Sequence, residues 1–442
     1  MKSTPLGIRK WLAFILAGLV GQLAWAIENN YLNLYIFAAS GDYGFIPVMT
    51  ALSAVAATLT TLFIGALTDR LGKRKIFVSC GYIIWGISII LFAFLDPKSS
   101  VSIVAHSGFV AGTMIVLMDC IMTFFGSTAN DAAFNAFVND QTDETNRGKV
   151  DSALATLPLF AMIAVTLVGG MLGIGNKESL PVHWDIFFYI FGGVTSLIGI
   201  ICLFLLPQDK AIPKKEERYL KNIFYGFRPK VVKDNKELYL VLIAFMIFNI
   251  AIQCFMPYFM IYIQNVLNIT GNNFTITLGI VLVGASLITI VVGAFMDKIG
   301  RSKVIFPALG FAFIGGIIMT FVNEQIGVIF GGIILMAGYL CSTAVLSSKT
   351  RDYIPEGRDG VFQGVRMVFV VLIPMVTGPY IGQGVSHING KFYTDPDFGT
   401  VSIEPNKYIF LFTSIILLFV LIPLIFLVRK EKQHEATTEW IS

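Results

Sequence analysis

Runs of about 20 apolar residues, the length that crosses roughly 30 Å of hydrocarbon at about 1.5 Å per residue, recur along nearly the whole chain. Twelve are counted, at 11–35, 44–67, 76–95, 107–139, 149–173, 184–206, 238–264, 274–296, 304–322, 326–348, 362–385 and 407–428. Lipid offers no hydrogen bonds, so each run must satisfy its own amides as a helix. The stretch 101–139 is too long for one ordinary span and is expected to begin with an extracellular turn. Only 14% of the residues are charged, where a soluble domain carries about 25%. The expected fold class is all-α integral membrane, with twelve transmembrane helices.

Lysine and arginine gather on the cytoplasmic side of spanning segments. With both termini inside, the outer loops hold only Lys98, Lys177, Lys391 and Lys407 of the 32 basic residues. The net charge of +4 therefore reports topology, and no nucleic-acid partner is expected. A competing reading takes the N-terminus as a signal peptide, with Ala24-Trp25-Ala26 as a cleavage site. It would leave eleven helices and break this charge asymmetry.

Five cysteines lie inside spans without a paired motif, and the histidines lie in loops or the tail. No disulfide, metal site or cofactor is expected. Nucleotide-binding, metalloprotease and nucleophile-elbow motifs are absent, so the chain does not read as an enzyme.

The sequence repeats itself. Gly65, Asp69, Arg70, Gly72, Lys73, Arg74 and Lys75 follow the second span, and Gly293, Asp297, Lys298, Gly300, Arg301 and Lys303 follow the eighth at the same spacing. Asp140 and Gly148 follow the fourth span, eight apart, as Asp352 and Gly360 follow the tenth. Two landmarks in the same order indicate two matching six-helix halves, at 1–206 and 238–442, joined by a charged cytoplasmic linker at 207–237. The twice-written loop resembles the signature of the major facilitator superfamily. That resemblance implies alternating access and a cytoplasmic latch formed by these loops. Asp140, Arg147, Asp352 and Arg366 are further cytoplasmic gate candidates, Arg366 pairing with Asp352, Asp359 or Asp140 or else snorkelling to the interface. Locally, Gly65 would let helices pack closely, Gly72 would permit a tight turn, and Asp69 would pair with cations.

A narrower resemblance rests on the stretch around Asp131. Asp131, Phe134 and Val138 are similar in spacing to the fourth helix of glycoside-pentoside-hexuronide:cation symporters and proton-coupled sucrose carriers. Those symporters also carry two aspartates on the second helix, whereas this second span has no acid before Asp69. Coupling to a proton is therefore expected ahead of sodium.

Of the acids, only Glu28, Asp119 and Asp131 fall inside spans, all in the first half and without a basic residue at their depth. An ionised carboxylate there costs several kcal/mol, so each must be protonated, bind a cation or face a wet cavity. Asp131, near the midplane, is the first candidate for cation coupling, then Glu28, then Asp119. Asn135 and Phe134 would share a helix face with Asp131, the ring stacking on a sugar. Trp25 and Asn29 in the first span, and Asn249, Gln253, Tyr258 and Tyr262 in the seventh, are the other substrate-binding candidates. Amides and tyrosines suit a hydroxyl-rich neutral solute. The expected function is cation-coupled symport of a sugar or glycoside by a cell-membrane monomer. The alternatives are proton-driven efflux of amphipathic compounds and a non-transporting receptor or lipid-handling protein.

Overall fold

A computed structural model describes residues 6–99, 101–104, 106–142, 146–175, 182–210, 225–355 and 359–439. Twelve helices among them are long and apolar enough to cross a membrane: α1 Ile8–Ser40, α2 Phe45–Leu71, α3 Arg74–Phe94, α4 Gly108–Gln141, α5 Ala153–Met171, α6 Trp184–Leu205, α7 Lys236–Val266, α8 Gly271–Gly293, α9 Lys303–Phe321, α10 Gln325–Asp352, α11 Gly364–Ser386 and α12 Tyr408–Glu431. The fourth is one continuous span of 34 residues that starts at Gly108, after the turn expected there.

Helix α2 shows why these runs pack as they do. Leu52, Val55, Leu59, Phe63 and Leu67 recur every three or four residues and stand exposed, while Thr50, Ser53, Ala54, Ala57, Thr58 and Thr61 are buried. The large apolar side chains face the lipid, and small and hydroxylated ones face the protein, where they allow close helix contact.

Four helices carry π-turns: Ile27–Tyr31 in α1, Ser127–Phe134 in α4, Tyr262–Val266 in α7 and Val368–Leu372 in α11. Such turns loosen the amide ladder locally and turn the following residues to a new face.

The chain forms two compact units. Unit 1 is Met1–Tyr219 with Asn268–Thr275 and Phe392–Glu404, and unit 2 is the remainder. Within unit 1, α1 packs on α5 and α6, and α3 on α6; within unit 2 the same pairs recur as α7 on α11 and α12, and α9 on α12. The core of unit 1 is aromatic. Tyr35 meets Phe92, Trp184 and Phe188 with ring centroids 4.8–6.3 Å apart, and its hydroxyl donates to the Phe92 carbonyl at 2.7 Å. In unit 2, Phe255, Phe259 and Tyr262 of α7 surround Phe410 of α12.

A feature with no sequence expectation is the hairpin between α11 and α12. Strand β1 (Phe392–Thr394) pairs antiparallel with β2 (Val401–Ile403), and the Asp395 carboxylate ties the turn by accepting from the Asp397 and Phe398 amides. Within unit 1 it sits on the stacked pair Phe37 and Tyr43 through Tyr393, and Lys98 bonds Asp397 at 2.6 Å. Gly41, at φ +68°, leaves room for Asp395 that a Cβ would fill. The Lys98 ammonium holds the Asp397 carboxyl below its ordinary value. A carboxyl lowered in the folded protein adds stability above the unfolded value of about 3.9 and loses it as pH falls through the lowered value. The protection factors of the hairpin amides, corrected for the intrinsic pH dependence of exchange, should therefore be slightly lower in acid than at pH 7, and Lys98→Ala should remove that difference; the pair is surface-exposed, so the effect is small.

Candidate functional site

Polar side chains on α1 divide into two groups at its π-turn. Asn29, Asn30 and Asn33 each donate to the carbonyl four residues back (Trp25, Ala26 and Asn29) at 2.9–3.1 Å, so these donors bond within their own helix, while the buried Asn33 Oδ1 has no hydrogen-bond partner. Glu28 instead points into unit 1. It is 6% exposed, and its Oε1 accepts from Ser53 of α2 at 2.9 Å and from Thr123 of α4 at 2.8 Å. Asp119, one helical turn before Thr123, is 1% exposed. One oxygen of each carboxyl, Glu28 Oε2 and Asp119 Oδ1, is buried without a hydrogen-bond partner. No ion pair to either carboxyl exists among the described residues. Two buried carboxyls with spare acceptor oxygens and no counter-charge have the chemistry to accept a proton or a small cation.

Asp131 lies on the π-turn of α4, half-buried. Asn130 donates to it at 3.0 Å and accepts from the Tyr82 hydroxyl at 3.3 Å, which makes a short polar chain from α3 to α4. Gly21 of α1 admits Asn130 here, since a Cβ would come within 2.5 Å of its side-chain oxygen. Trp25 stands edge-on to Trp85 at 5.1 Å beside this chain, and Tyr82 stacks on Trp85 with ring centroids 5.9 Å apart. The face expected for Asp131, Phe134 and Asn135 is not formed. The π-turn breaks the α-helical spacing, Phe134 is buried against Gly18 of α1, and Asn135 is exposed.

The seventh-span candidates also part company. Asn249 donates to the Val370 carbonyl at 2.9 Å, in the π-turn of α11, and Tyr258 donates to the Pro379 carbonyl at 2.8 Å. Tyr262 is 2% exposed with its ring against Phe410. These three serve helix packing in unit 2 rather than one open polar face. Gln253 is half-buried at the crossing with Gly378.

In the signature loop, Gly72 ends α2 at φ +64°, a conformation that glycine adopts without strain. Arg74, 9% exposed, bridges Asp69 at 2.6 Å and Asp140 at 3.1 Å. Asp140 thus pairs within its own unit. Gly65 does not carry the close packing expected of it, because no described atom lies within 4 Å of where its Cβ would stand, and the same holds for Gly293. Arg70 is exposed, Asp352 is exposed at the end of α10, and Arg366 is half-buried in the helix Asp359–Met367. Gly300, at φ +95°, caps the helix Gly271–Ile299. The side chains of Arg147, Asp297 and Arg301 lie outside the described residues. Replacing Arg74 by Ala would leave two carboxylates facing each other. Because they are partly hydrated, the loss should be about 1–3 kcal/mol, read as a lower thermal midpoint in detergent, with Arg74→Lys intermediate because an ammonium bridges two carboxylates poorly.

Ser53, Thr123, Tyr82 and Asn130 were not singled out from the sequence. Hydroxyls and amides inside apolar runs carry no distinguishing pattern, and only the meeting of α1, α2, α3 and α4 brings them together.

The sequence profile of the Major Facilitator Superfamily matches residues 11–379. No curated protein sequence matches the chain. Similar solved folds include a single-residue mutant of the nucleoside transporter NupG, with a TM-score of 0.71, 12% identity and 95% and 99% of the two chains covered. A bacterial homolog of the human lysosomal transporter Spinster, inward-facing and unoccupied, gives 0.67 at 12% identity over 96% and 98%. A D-xylose-proton symporter gives 0.66 at 14% identity over 94% and 97%. The twelve spans, the repeated packing pairs and the profile agree: the chain belongs to the major facilitator superfamily and is a multi-pass membrane transporter rather than an enzyme.

Proposed function

We propose that this transporter couples inward movement of a proton to uptake of a small, neutral, hydroxyl-rich solute, a sugar or glycoside, by alternating access with both termini cytoplasmic. The observation that carries the reading is the Glu28 and Asp119 pair, buried, without a basic partner, each with an unbonded oxygen. A carboxyl pair that cannot hold two charges in apolar surroundings is the part a secondary transporter needs to pick up a cation and release it elsewhere. Nearby, Asp131, Asn130 and Tyr82 offer acceptors and donors beside Trp25, a combination suited to hydroxyls above a ring face. Two of the similar folds are described as a nucleoside transporter and a D-xylose-proton symporter, which supports a solute of this class. The spacing of Asp131, Phe134 and Val138 favours the glycoside and sucrose carrier branch.

The test is uptake into proteoliposomes of labelled monosaccharides, disaccharides and nucleosides, under an imposed proton gradient, a sodium gradient or none. Accumulation of one sugar class driven by the proton gradient is expected. Accumulation driven by sodium alone would replace the ion. Failure under both gradients, with proton-driven extrusion of lipophilic dyes instead, would replace the reading by efflux.

A further inference from the structure

Hydroxyls inside these helices commonly donate to the carbonyl one turn back, as Thr50 of α2 does to Ile46 at 2.9 Å and Thr128 of α4 does to Phe124 at 2.7 Å. Ser53 and Thr123 turn to Glu28 instead. Ser53 Oγ lies 2.9 Å from Glu28 Oε1, Thr123 Oγ1 lies 2.8 Å from the same atom, and the two hydroxyl oxygens are 2.7 Å apart. Three buried oxygens from α1, α2 and α4 thus form a closed triangle. Each edge is short enough to need a hydrogen between its oxygens. A serine and a threonine supply one each, and if both donate to Glu28 the 2.7 Å edge between them is left bare. The third hydrogen has to come from Glu28 as the acid. Its O–H then donates to one hydroxyl, that hydroxyl donates to the other, and the other donates back to Oε1. The neutral form also suits Oε2, which is buried without a hydrogen-bond partner.

A metal ion does not fit the same triangle. An ion of calcium's size, which sodium shares, keeps its oxygens about 2.3–2.6 Å away, so neighbouring oxygens at right angles around it stand about 3.3–3.7 Å apart. The edges here are 2.7–2.9 Å, and no group of three acids, histidines or cysteines able to hold a metal occurs among the described residues. We infer that Ser53 and Thr123 make Glu28 a proton-specific site, a ring that a hydrogen closes and that sodium does not enter. The titratable groups on the surrounding helices are Asp119, Cys120 and Asp131 on α4, Tyr31 on α1, Tyr82 on α3 and Tyr189 on α6; α2 and α5 carry none at this depth. None of them is a cation, and the nearest bases along α1 and α2, Lys10 and Arg70, are about 25 Å away along their helices. The proton is therefore what neutralises Glu28. Ser53 and Thr123 are positioning residues: the proton rests on the carboxyl, and the two hydroxyls decide which ion the carboxyl takes.

This inference rests on Glu28 being a coupling carboxyl, and its first test needs no solute. In infrared spectra of the purified full-length protein at neutral pH, Glu28→Gln should remove a protonated-carboxyl stretch. Ser53→Ala and Thr123→Val should each shift that band, because the acid loses a partner in the ring; hydroxyls that only pack helices would leave it in place. Replacing potassium by sodium in the buffer should not change it. Loss of a carboxylate band in Glu28→Gln, or an acid band that sodium erases, would overturn the proton-specific site. In proteoliposomes, Ser53→Ala and Thr123→Val should each lower proton-driven accumulation about fivefold or more, and Ser53→Thr and Thr123→Ser, which keep a hydroxyl, should retain most of it. If the band responds to both hydroxyls but no solute accumulates under a proton gradient, the proton site stands and the symport reading falls. If accumulation is proton-driven while the band ignores both hydroxyls, the symport reading stands and the ring falls.

Discussion

Glu28→Gln should convert the transporter into an exchanger. Gradient-driven accumulation should fall by about tenfold or more, while exchange of labelled for unlabelled solute across equal pH persists. Gln keeps the length and the acceptor oxygen that Ser53 and Thr123 address, yet it cannot take up and give back a proton. Asp119→Asn should give the same phenotype, and the double variant should be no worse than either single one, because the two residues act as a unit. Removing a buried carboxyl that lacks a counter-charge should leave the thermal midpoint unchanged or raised. If Glu28→Gln still accumulates solute and Asp131→Asn does not, coupling resides on the α4 π-turn instead.

The second large effect is expected at a glycine. A Cβ at Gly86 of α3 would strike the Gly192 carbonyl and the Ser196 amide of α6. Gly192 and Gly199 mirror this, since their own Cβ atoms would meet α3 backbone at 2.6–2.7 Å. Backbone cannot swing aside as a side chain can, so Gly86→Ala should exceed the about 1–3 kcal/mol usual for overpacking and sharply reduce folded yield. Gly193, adjacent to Gly192, has no described atom within 4 Å of its Cβ position. Gly193→Ala should therefore be neutral, or stabilise by up to about 1 kcal/mol through helix propensity. Monodispersity after detergent extraction reads both. Equal behaviour of the two would mean that the α3–α6 crossing is not what holds unit 1 together.

These two cases also mark where sequence reading stops. The twelve spans were legible because an apolar run either reaches across hydrocarbon or does not, and each expected span overlaps its helix. Gly72 and Gly300 were legible as turns, since spacing and residue type together demand a conformation that favours glycine. Whether Gly65 or Gly86 sits at a close crossing depends on which helix lies opposite, and nothing local encodes that. The same limit hid the neighbourhood of Glu28 and Asp119: each was visible as an acid in an apolar run, but only the packing of α1 on α4, where Thr123 bonds Glu28 one turn from Asp119, brings them near each other. The hairpin was missed because three-residue strands in a loop holding proline, aspartate and glycine carry too short a pattern to stand out.

The π-turns bear on how such a protein can change over generations. Each holds one residue more than an α-helical turn needs, and each α-helical residue advances about 100° around the axis. Loss of a single codon within the Ile27–Tyr31 turn would let that helix close up as plain α with the helix on either side still in register, so that only the side chains of the turn itself are re-aimed. Point substitution moves one group at a time; a one-residue deletion here would re-aim Glu28, Asn29 and Asn30 together while leaving the helix's length and lipid-facing composition nearly intact.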